Sequence, residues 1–456
     1  MRRYNITDRV KRTKTFFSIL SVAILIFTDC TRSANTKTVA PAIPKIDRVI
    51  PLADDPITTA PGLFFTENFE IADDLNIRFH DTGGINDSLM RICDTDAFSG
   101  SKAVQNTYFA KEKYPEGEDP GGSGWFWHFF GDNKLDGYFP IADTMPRTSV
   151  FARWYHKFEE GFTPQDSTGT LPPKMARMRC FDAPWKANYT VLFWIEGRDG
   201  HISIQQHTRA PGVWREWLPN YNTTFSLNNP GNIGRWIHFE LGVTLGEGHC
   251  SDRVQAWADG KLICDIDKQD LAGGYREQTL NAMSWDCYWN GGAPRTESRF
   301  YDDLVLSGQP IGPARTSLTP TIRKASFKSE RGEEQKEWQI EVAETVQLPM
   351  SISDPSRKDP KMQYITVWHG RVKGEADTVT VSAHLGKFTG PLTDREQLDC
   401  NTLYSIRLRQ RAKRSDWSQW SPWHAAFSTT WMPGTEPDER TPANGYLTGH
   451  ELTGGP

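Results

Sequence analysis

The sequence lacks the features that mark nucleic-acid-binding and membrane-spanning proteins. It contains no basic block fit for DNA, and its formal net charge is −5 over 456 residues, so nucleic acid is not an expected partner. The apolar run FFSILSVAILIF, from Phe16 to Phe27, is too short for a transmembrane helix, which needs about 20 residues. Any contact with a membrane must therefore come from a feature other than a transmembrane helix.

Metal-site spacing is also absent. The cysteines include no C-x-x-C pair, and the six that follow Cys30 permit disulfides in an oxidising compartment without requiring any. No cofactor is required and no metal site is predicted. Calcium is permitted, with the acidic loop Glu116 to Asp119 or the pair Asp302 and Asp303 as its carboxylates, although neither has a recognisable ligand loop.

The N-terminus has the composition of an export signal. Basic residues from Arg2 to Lys14 precede the apolar run, a pattern typical of secretory signals. Cys30 follows directly and suggests a bacterial lipoprotein signal, although Phe27 and Asp29 depart from the usual residues there. We therefore expect residues 1–30 to be a signal peptide and the protein to be secreted or at the cell surface, in the bacterial periplasm or outer membrane. A lipid on Cys30 would be its membrane anchor.

Helical periodicity is missing from the rest of the chain. No long segment has an apolar stripe with a 3.6-residue period, whereas short alternating runs with turn residues between them recur from Leu63 to Ser307. In the run from Trp236 to Thr244, apolar and polar or aromatic residues alternate, which predicts one face on a core and the other on an open groove. The sequence predicts an all-β sandwich.

Composition divides the remaining chain. Residues 31–62 are rich in Pro, Ala, Thr and Asp and are predicted to be a disordered tether. Residues 308–320 are predicted to be a linker to a second domain at 321–430, and the tail 431–456 is predicted to be disordered. We expect the two domains to fold independently and the protein to be a monomer.

The second domain carries alternating arginines and a tryptophan motif. The residues are Arg407, Arg409, Arg411, Trp417 and Trp420. Arginines at period two can intercalate with the indole rings of Trp417-Ser-Gln-Trp420-Ser. This pattern resembles the fibronectin type III fold, and specifically the Trp-Ser-x-Trp-Ser ladder of cytokine-receptor domains, with Tyr404 at the place of the tyrosine corner. The resemblance implies a small β-sandwich that serves as a spacer or docking module.

Four groups of segments in the larger domain also resemble a family. They are VFARWYHKFEEGF, LPPKMARMR, GRWIHFELGVTLG with DRVQAWADGKLI, and LNAMSWDCYWNGG with SRFYDDLVLS. In this order they look like the jelly-roll polysaccharide lyases, which include heparin lyase I, glucuronan lyase and one class of alginate lyase. The resemblance implies a concanavalin A-like jelly roll at 63–307. It also implies a secreted lyase that cleaves an acidic, uronic-acid-containing polysaccharide by β-elimination.

β-Elimination sets a chemical requirement. One group neutralises the C6 carboxylate of the uronate, a base removes the C5 proton, and an acid protonates the departing O4. Arg, Lys, Gln or neutral His suit the first task, and Tyr or His suit the other two.

Strand parity selects the candidates. Arg153, Tyr155 and Lys157 share one face of a predicted strand, and His201, Ser203, Gln205 and His207 share one face of another. Lys174 occupies the place of a groove lysine in the resembling lyases. Arg177 and Arg179 have the opposite parity, so they can join Lys174 only if the strand bulges. We expect catalytic roles for Tyr155, His207, Lys174 and Arg153, and substrate binding by Gln205, Arg177, Trp194, His238 and Trp257.

Two other functions remain open. A non-catalytic glycan-binding domain would use Trp194, Trp236 and Trp257 as stacking platforms. A jelly-roll glycoside hydrolase needs two carboxylates about 5–9 Å apart. Its usual Glu-x-Asp-x-x-Glu or Glu-x-Asp-x-Glu strand is absent, and its scattered candidates would be Glu196, Glu240 and Asp303. His128 is expected in the core instead of acting as a base.

Overall fold

The short alternating segments form β-strands. The computed structural model describes residues 41–52, 62–71, 75, 79–80, 82, 89–110, 124–131, 141, 143–164, 173–183, 186–196, 200–210, 213–289, 292–329, 332–347, 362–400 and 402–429. Several predicted features lie outside these residues: the signal with Cys30, the tail from 431 and the acidic loop from Glu116. Among the described residues, no helix has the length and apolar character needed to cross a membrane.

The strands are numbered in chain order. The first is β1 (Ile46–Val49). The next fifteen are β2 (Leu63–Glu67), β3 (Met90–Cys93), β4 (Ala103–Tyr108), β5 (Trp125–Phe129), β6 (Ser149–Phe158), β7 (Lys174–Ala183), β8 (Lys186–Glu196), β9 (His201–Ala210), β10 (Val213–Trp217), β11 (Tyr221–Ser226), β12 (Trp236–Thr244), β13 (Asp252–Ala258), β14 (Lys261–Gln269), β15 (Ala282–Asp286) and β16 (Glu297–Ser307). The last are β17 (Arg315–Thr316), β18 (Thr321–Lys324), β19 (Gln335–Gln347), β20 (Met362–Lys373), β21 (Thr378–Thr380), β22 (Gly386–Phe388), β23 (Leu403–Ala412) and β24 (His424–Thr429).

Two sheets form the larger sandwich. A seven-stranded sheet has the order β10-β9-β8-β7-β15-β5 with β11 paired to β9, and an eight-stranded sheet has the order β14-β13-β12-β6-β16-β4-β3 with β2 paired to β16. Apolar residues at every second position of both sheets meet in the main core, where Trp154, Trp285 and Trp289 are fully buried. The all-β jelly-roll sandwich predicted from the sequence is confirmed.

The smaller sandwich is built from two separate parts of the chain. Its six-stranded sheet has the order β17-β24-β23-β19-β20-β22, and its three-stranded sheet has the order β1-β18-β21. Strand β1 precedes the larger sandwich, yet it pairs antiparallel with β18, with Ile46 opposite Lys324. The predicted tether is therefore wrong for this segment. Ile46 and Val49 are buried in the second core, and that burial offsets the cost of ordering four residues.

The predicted linker is packed against the larger sandwich. The backbone N–H groups of Ile311 and Gly312 donate to the two carboxylate oxygens of Glu240, at 2.9 and 2.7 Å. Ile311 also packs with Phe151 and Trp257 on the outer face of the eight-stranded sheet. The linker therefore covers the face that the sequence was expected to leave as an open groove.

The two sandwiches also contact each other directly. The Lys261 ammonium of β14 donates to the carbonyl of Trp423, just before β24, at 2.9 Å. The described residues between 41 and 429 belong to one compact unit. This contact and the packed linker argue against independent folding, because the larger sandwich buries polar groups that residues beyond Ser307 satisfy.

A chain that ends at Ser307 should fold poorly. It would expose Trp257 and leave the Glu240 carboxylate and the Arg153 guanidinium without their linker partners, each at a cost of about 1–3 kcal/mol. Thermal unfolding monitored by circular dichroism should show a lower or non-cooperative transition. A chain that ends at residue 430, which keeps all 24 strands, is the control and should unfold like the full chain. Equal stability of the two truncations would contradict the packed linker.

Glu240 should make stability depend on pH. Burial raises the pKa of its carboxyl to about 7, while the N–H groups of Ile311 and Gly312 and the charge of Arg153 act in the opposite direction. The unfolded chain releases this proton near the ordinary pKa of 4.5, so the folded state binds more protons between the two values. The free energy of unfolding should therefore fall as pH rises from about 4.5 to about 7, by at most about 3 kcal/mol.

Urea unfolding across this pH range measures the effect. Glu240→Gln removes the titrating group, so its stability should vary less between about pH 4.5 and 7 than that of the wild type. The slope of the free energy of unfolding against pH is the decisive readout. The single amide oxygen of Gln satisfies the two linker N–H groups less well than a carboxylate does, so this variant will be less stable at every pH. Identical slopes for the two proteins would show that Glu240 does not titrate in this window.

Candidate functional site

The structure divides the predicted site residues between two opposite faces of the larger sandwich. On the outer side of the eight-stranded sheet lie Arg153, Tyr155, His238 and Trp257. On the outer side of the seven-stranded sheet lie Lys174, Arg177, Trp194, Gln205 and His207. The first group is covered and the second is accessible in part, so the predicted nine-residue site is not a single site.

Tyr155 and Arg153 are structural residues. The parity prediction for their strand is correct, since Trp154 points into the core between them. The Tyr155 ring stacks on Phe98 with centroids 3.4 Å apart, and its hydroxyl accepts a hydrogen bond from the Ala314 N–H at 2.8 Å. Arg153 is fully buried and pairs with Asp303 at 3.0 Å. Neither residue can reach a polymer, so their predicted catalytic roles are wrong.

His238 and Trp257 are covered in the same way. His238 Nδ1 accepts a hydrogen bond from the Gly260 N–H at 3.2 Å, and burial together with the nearby charge of Arg153 lowers its pKa to about 3. Trp257 is 4% exposed and packs under Ile311. Both are excluded from substrate binding, because the linker lies over their side of the sheet.

The outer side of the seven-stranded sheet, here called the groove face, gathers the other candidates. In β9, Ile202 and Ile204 point into the core as predicted, which turns His201, Ser203, Gln205 and His207 outward. Across the strands, His207 lies opposite Thr190, Gln205 opposite Leu192 and Ser203 opposite Trp194. The same face continues onto β7.

A β-bulge brings the cations of β7 together. The register between β7 and β8 shifts between Lys174 and Ala176, so that Lys174 pairs with Trp194 while Arg177 pairs with Leu192 and Arg179 with Thr190. Trp194, Leu192 and Thr190 all face outward. The bulge that the sequence required for a common face is present, and it places Lys174, Arg177 and Arg179 on the groove face together.

Arg177 and Lys174 are held by residues that follow β15. Arg177 forms an ion pair with the buried carboxylate of Asp286, whose other oxygen accepts the Tyr288 N–H at 2.9 Å. Lys174 Nζ lies 4.5 Å from the centre of the Tyr288 ring, and the Lys174 N–H donates to the Tyr288 carbonyl. The two cations and the phenol therefore share one rigid corner of the groove face.

One end of the groove face is closed by apolar packing. Trp127, Phe129, Phe181 and Ala282 pack there with Ile141, and Arg179 lies 5.3 Å from the Trp127 ring centre. The accessible part contains half-buried Lys174, Arg177, Trp194, Gln205 and Tyr288. Trp125 is also half-buried and packs against the apolar cluster. His207 is 6% exposed and lies in the cross-strand row of Thr190 and Arg179, beside that closed end.

Sequence reasoning missed Tyr288, Asp286 and Trp125. The alternation in β15, with Met283 and Trp285 in the core, does place Asp286 on the groove face. Tyr288 comes after the strand ends, where parity no longer applies. Only the pairing of Lys174 with the Tyr288 backbone brings that ring to the site.

The acidic candidates for a hydrolase do not converge. Glu196 lies on the groove face and accepts a hydrogen bond from the Ser203 hydroxyl at 2.8 Å. Glu240 and Asp303 lie beneath the linker on the other side of the sandwich. Glu196 is thus separated from the other two carboxylates by the sandwich, and Glu240 is fully buried, so the three do not form an accessible glycosidase pair.

The remaining candidates also have structural roles. Asp302 accepts hydrogen bonds from the N–H groups of Phe98 and Ser99, so its carboxylate is already satisfied by donors. Within the described part of the chain, no group of three or more His, Cys, Asp or Glu residues could hold a metal ion. His128 is half-buried and packs against Phe65, with ring centroids 3.9 Å apart.

Comparisons with known proteins reach only solved structures. No protein-family model and no curated protein matches the chain. It is similar to an endo-β-1,4-glucuronan lyase from the fungus Trichoderma reesei, with 13% identity, 54% of this chain and 95% of that chain covered, and a TM-score of 0.37. It is also similar to alginate lyase vAL-1 from Chlorella virus (11%, 52% and 98%, 0.36) and to the T. cruzi calreticulin globular domain (12%, 54% and 89%, 0.30). These similarities are too weak to indicate a function, which must be inferred from the side chains of the groove face.

Replacement of Asp286 should disturb the groove corner. Asp286→Asn removes the charge beneath Arg177 and should destabilise the fold by about 3 kcal/mol, as expected when one member of a buried ion pair is lost. Urea unfolding measures the change. Asp265→Asn is the matched control, because Asp265 pairs with Arg253 at 2.6 Å on a more exposed surface, where a pair contributes at most about 1 kcal/mol. Similar losses in both variants would contradict a special role for Asp286.

Proposed function

We propose that the protein is a polysaccharide lyase that cleaves a uronic-acid-containing polymer by β-elimination on the groove face. The observation that carries this proposal is the gathering of two cations, an amide, an imidazole and a phenol on neighbouring strands of one sheet face. They belong to Lys174, Arg177, Gln205, His207 and Tyr288. These groups meet the three requirements of the reaction without any metal or cofactor.

The cations and the amide would neutralise the uronate carboxylate. Arg177 offers a planar guanidinium that suits a carboxylate, and Asp286 fixes its orientation from below. Gln205 lies on β9, beyond Leu192 of β8, in the same cross-strand row as Arg177. A carboxylate held between them delocalises the negative charge that develops when the C5 proton leaves, which lowers the barrier.

Proton transfer would use Tyr288 and His207, and the second role requires the polymer to meet the small exposed part of His207 (6%). A neutral His207 ring nitrogen takes the C5 proton, the electron pair of that bond forms the C4–C5 double bond, and the C4–O4 bond breaks. The Tyr288 hydroxyl gives its proton to O4, and water restores both side chains afterwards. Tyr288 replaces Tyr155 in this scheme, because its ring lies beside Lys174 on the groove face.

Aromatic rings would hold neighbouring sugars. Trp194 is half-buried between Lys174 and Ser203 in the same cross-strand row, and Trp125 lies at the other edge, 6.4 Å from Tyr288 between ring centres. Sugar rings stack on such exposed indole faces. Trp236 and Trp257 are 3% and 4% exposed, so the purely glycan-binding alternative retains only Trp194 of its three platforms.

We also propose a fibronectin type III-like identity for the smaller sandwich. The supporting observations are the strand orders β1-β18-β21 and β24-β23-β19-β20 and the Tyr404 hydroxyl, which accepts the Asp399 N–H at 3.0 Å. The proposed setting is a secreted or cell-surface monomer, exported by residues 1–30 and anchored through a lipid on Cys30.

Product absorbance tests the proposed reaction. Incubation with glucuronan, alginate, ulvan and glycosaminoglycans should raise near-ultraviolet absorbance for at least one polymer, because only elimination leaves a conjugated double bond. His207→Ala and Tyr288→Phe should each lower kcat by about 10²–10⁴. Tyr155→Phe is the control and should change turnover by only a few-fold, since its hydroxyl contacts the linker.

Three outcomes would contradict the proposal. Binding of a polymer without any unsaturated product would make this a glycan-binding protein. New reducing ends without absorbance would indicate hydrolysis. Elimination that survives both His207→Ala and Tyr288→Phe would confirm a lyase but reject these two residues as its proton-transfer groups.

A further inference from the structure

The smaller sandwich has a sheet face on which positive charges accumulate. Trp338, Ile340 and Val342 of β19 point into its core, so the alternate residues of β19 and its neighbours point outward. The cations on this outer side, here called the cationic face, are Arg371, Lys373, Lys387, Arg407, Arg409 and Arg411. They occupy two strands and a short edge strand of one sheet.

The cations are arranged in cross-strand rows. Lys373 and Arg411 flank Glu337 of β19, and Arg371 and Arg409 flank Gln339. Lys387 lies opposite His369, which leads across Glu341 to Arg407. Neighbouring rows are about 6.7 Å apart along the strands, and neighbours within a row are about 4.8 Å apart. The result is a two-dimensional array of positive charge on a flat surface.

Acidic residues offset only part of this charge. Glu337 is 2% exposed beneath Arg371 and Arg411 and pairs with both, while Glu341 pairs with Arg407. Arg409 donates to the neutral amide oxygen of Gln339 at 2.7 Å. The face therefore keeps an excess of cations although the whole chain has a net charge of −5.

The arginines are held rigidly by indole rings. Arg407 lies 4.9 Å from the Trp420 ring centre, Arg409 lies 4.6 Å from the same ring, and Arg411 lies 4.8 Å from Trp417. This confirms the intercalation expected from the sequence. Side chains fixed in advance lose little conformational entropy when they bind a ligand, so the ladder favours anion binding as well as stability.

We propose that the cationic face is a second, non-catalytic binding site for an acidic polysaccharide. The choice of a uronate polymer rests on the function proposed above. A flat array of guanidinium and ammonium groups suits carboxylates repeated along an extended sugar chain. Nucleic acid fits less well, because the flat sheet presents no helix or ribbon that could enter a groove.

Charge neutralisation on this face tests the proposal. The variant Arg371→Gln/Lys373→Gln/Lys387→Gln removes three exposed cations and leaves the indole ladder intact. In the background of His207→Ala, which keeps the polymer uncut, calorimetry with long glucuronan and alginate chains at low salt should show binding about tenfold weaker for the polymer that the wild type prefers. The salt dependence of binding should also decrease.

A matched control lies on the same sandwich. Arg323→Gln/Lys328→Gln/Arg395→Gln removes the same number of exposed cations away from the cationic face and should bind within twofold of the parent. Equal weakening in both triple variants, or none in the first, would overturn the proposal. So would a loss confined to duplex DNA or anionic vesicles, which would assign the face to another polyanion.

The two proposals can fail separately. If no polymer yields unsaturated product but the first triple variant still weakens binding, the lyase reaction is refuted and the second site remains. If elimination of a short oligosaccharide proceeds normally and the triple variant binds long polymer like its parent, the second site is refuted and the lyase remains.

Discussion

The Glu240 carboxylate, fully buried and bonded to the N–H groups of Ile311 and Gly312, is the contact on which the arrangement of this protein depends. A buried carboxylate requires donors, and here the linker backbone supplies them. With the linker fixed on the outer side of the eight-stranded sheet, the second sandwich follows at the same side, and β1 returns to complete its smaller sheet. The opposite side of the larger sandwich is thereby left as the face that can meet a ligand.

The sequence predicted which residues share one face of a strand, but it did not predict which of these faces is covered by another part of the chain. Alternation correctly assigned Arg153 and Tyr155 to one side of β6 and Gln205 and His207 to one side of β9. Period two says only that residues point outward from a sheet. Whether water, a linker or a polymer meets them depends on contacts between distant positions, such as that of Tyr155 with Ala314.

Local sequence also failed to predict structure at positions where the pairing of distant strands alone determines it. Ile46–Val49 has only two apolar residues, on either side of Asp47 and Arg48, in a Pro-rich segment. Only its partner β18, far along the chain, makes it a strand. The bulge between Lys174 and Ala176 has no glycine to signal it, yet it decides that three cations share one face. The fold class was within reach because many alternating segments agree. The site could be predicted only in part, because it depends on a few pairings between distant strands.

The arginines of this chain have different roles because their side chains differ in exposure to water. Arg153 is fully buried and pairs with Asp303, so its charge acts on groups inside the protein and not on a ligand. Arg177 and Arg411 each lie over a buried carboxylate, Asp286 and Glu337 respectively, while their own side chains are 15% and 25% exposed. A counter-ion placed on the core side fixes the guanidinium and leaves its outer edge available. The groove face and the cationic face thus share one arrangement. A buried acidic side chain in the sheet orients a cation toward solvent, where the cation can meet an anionic ligand.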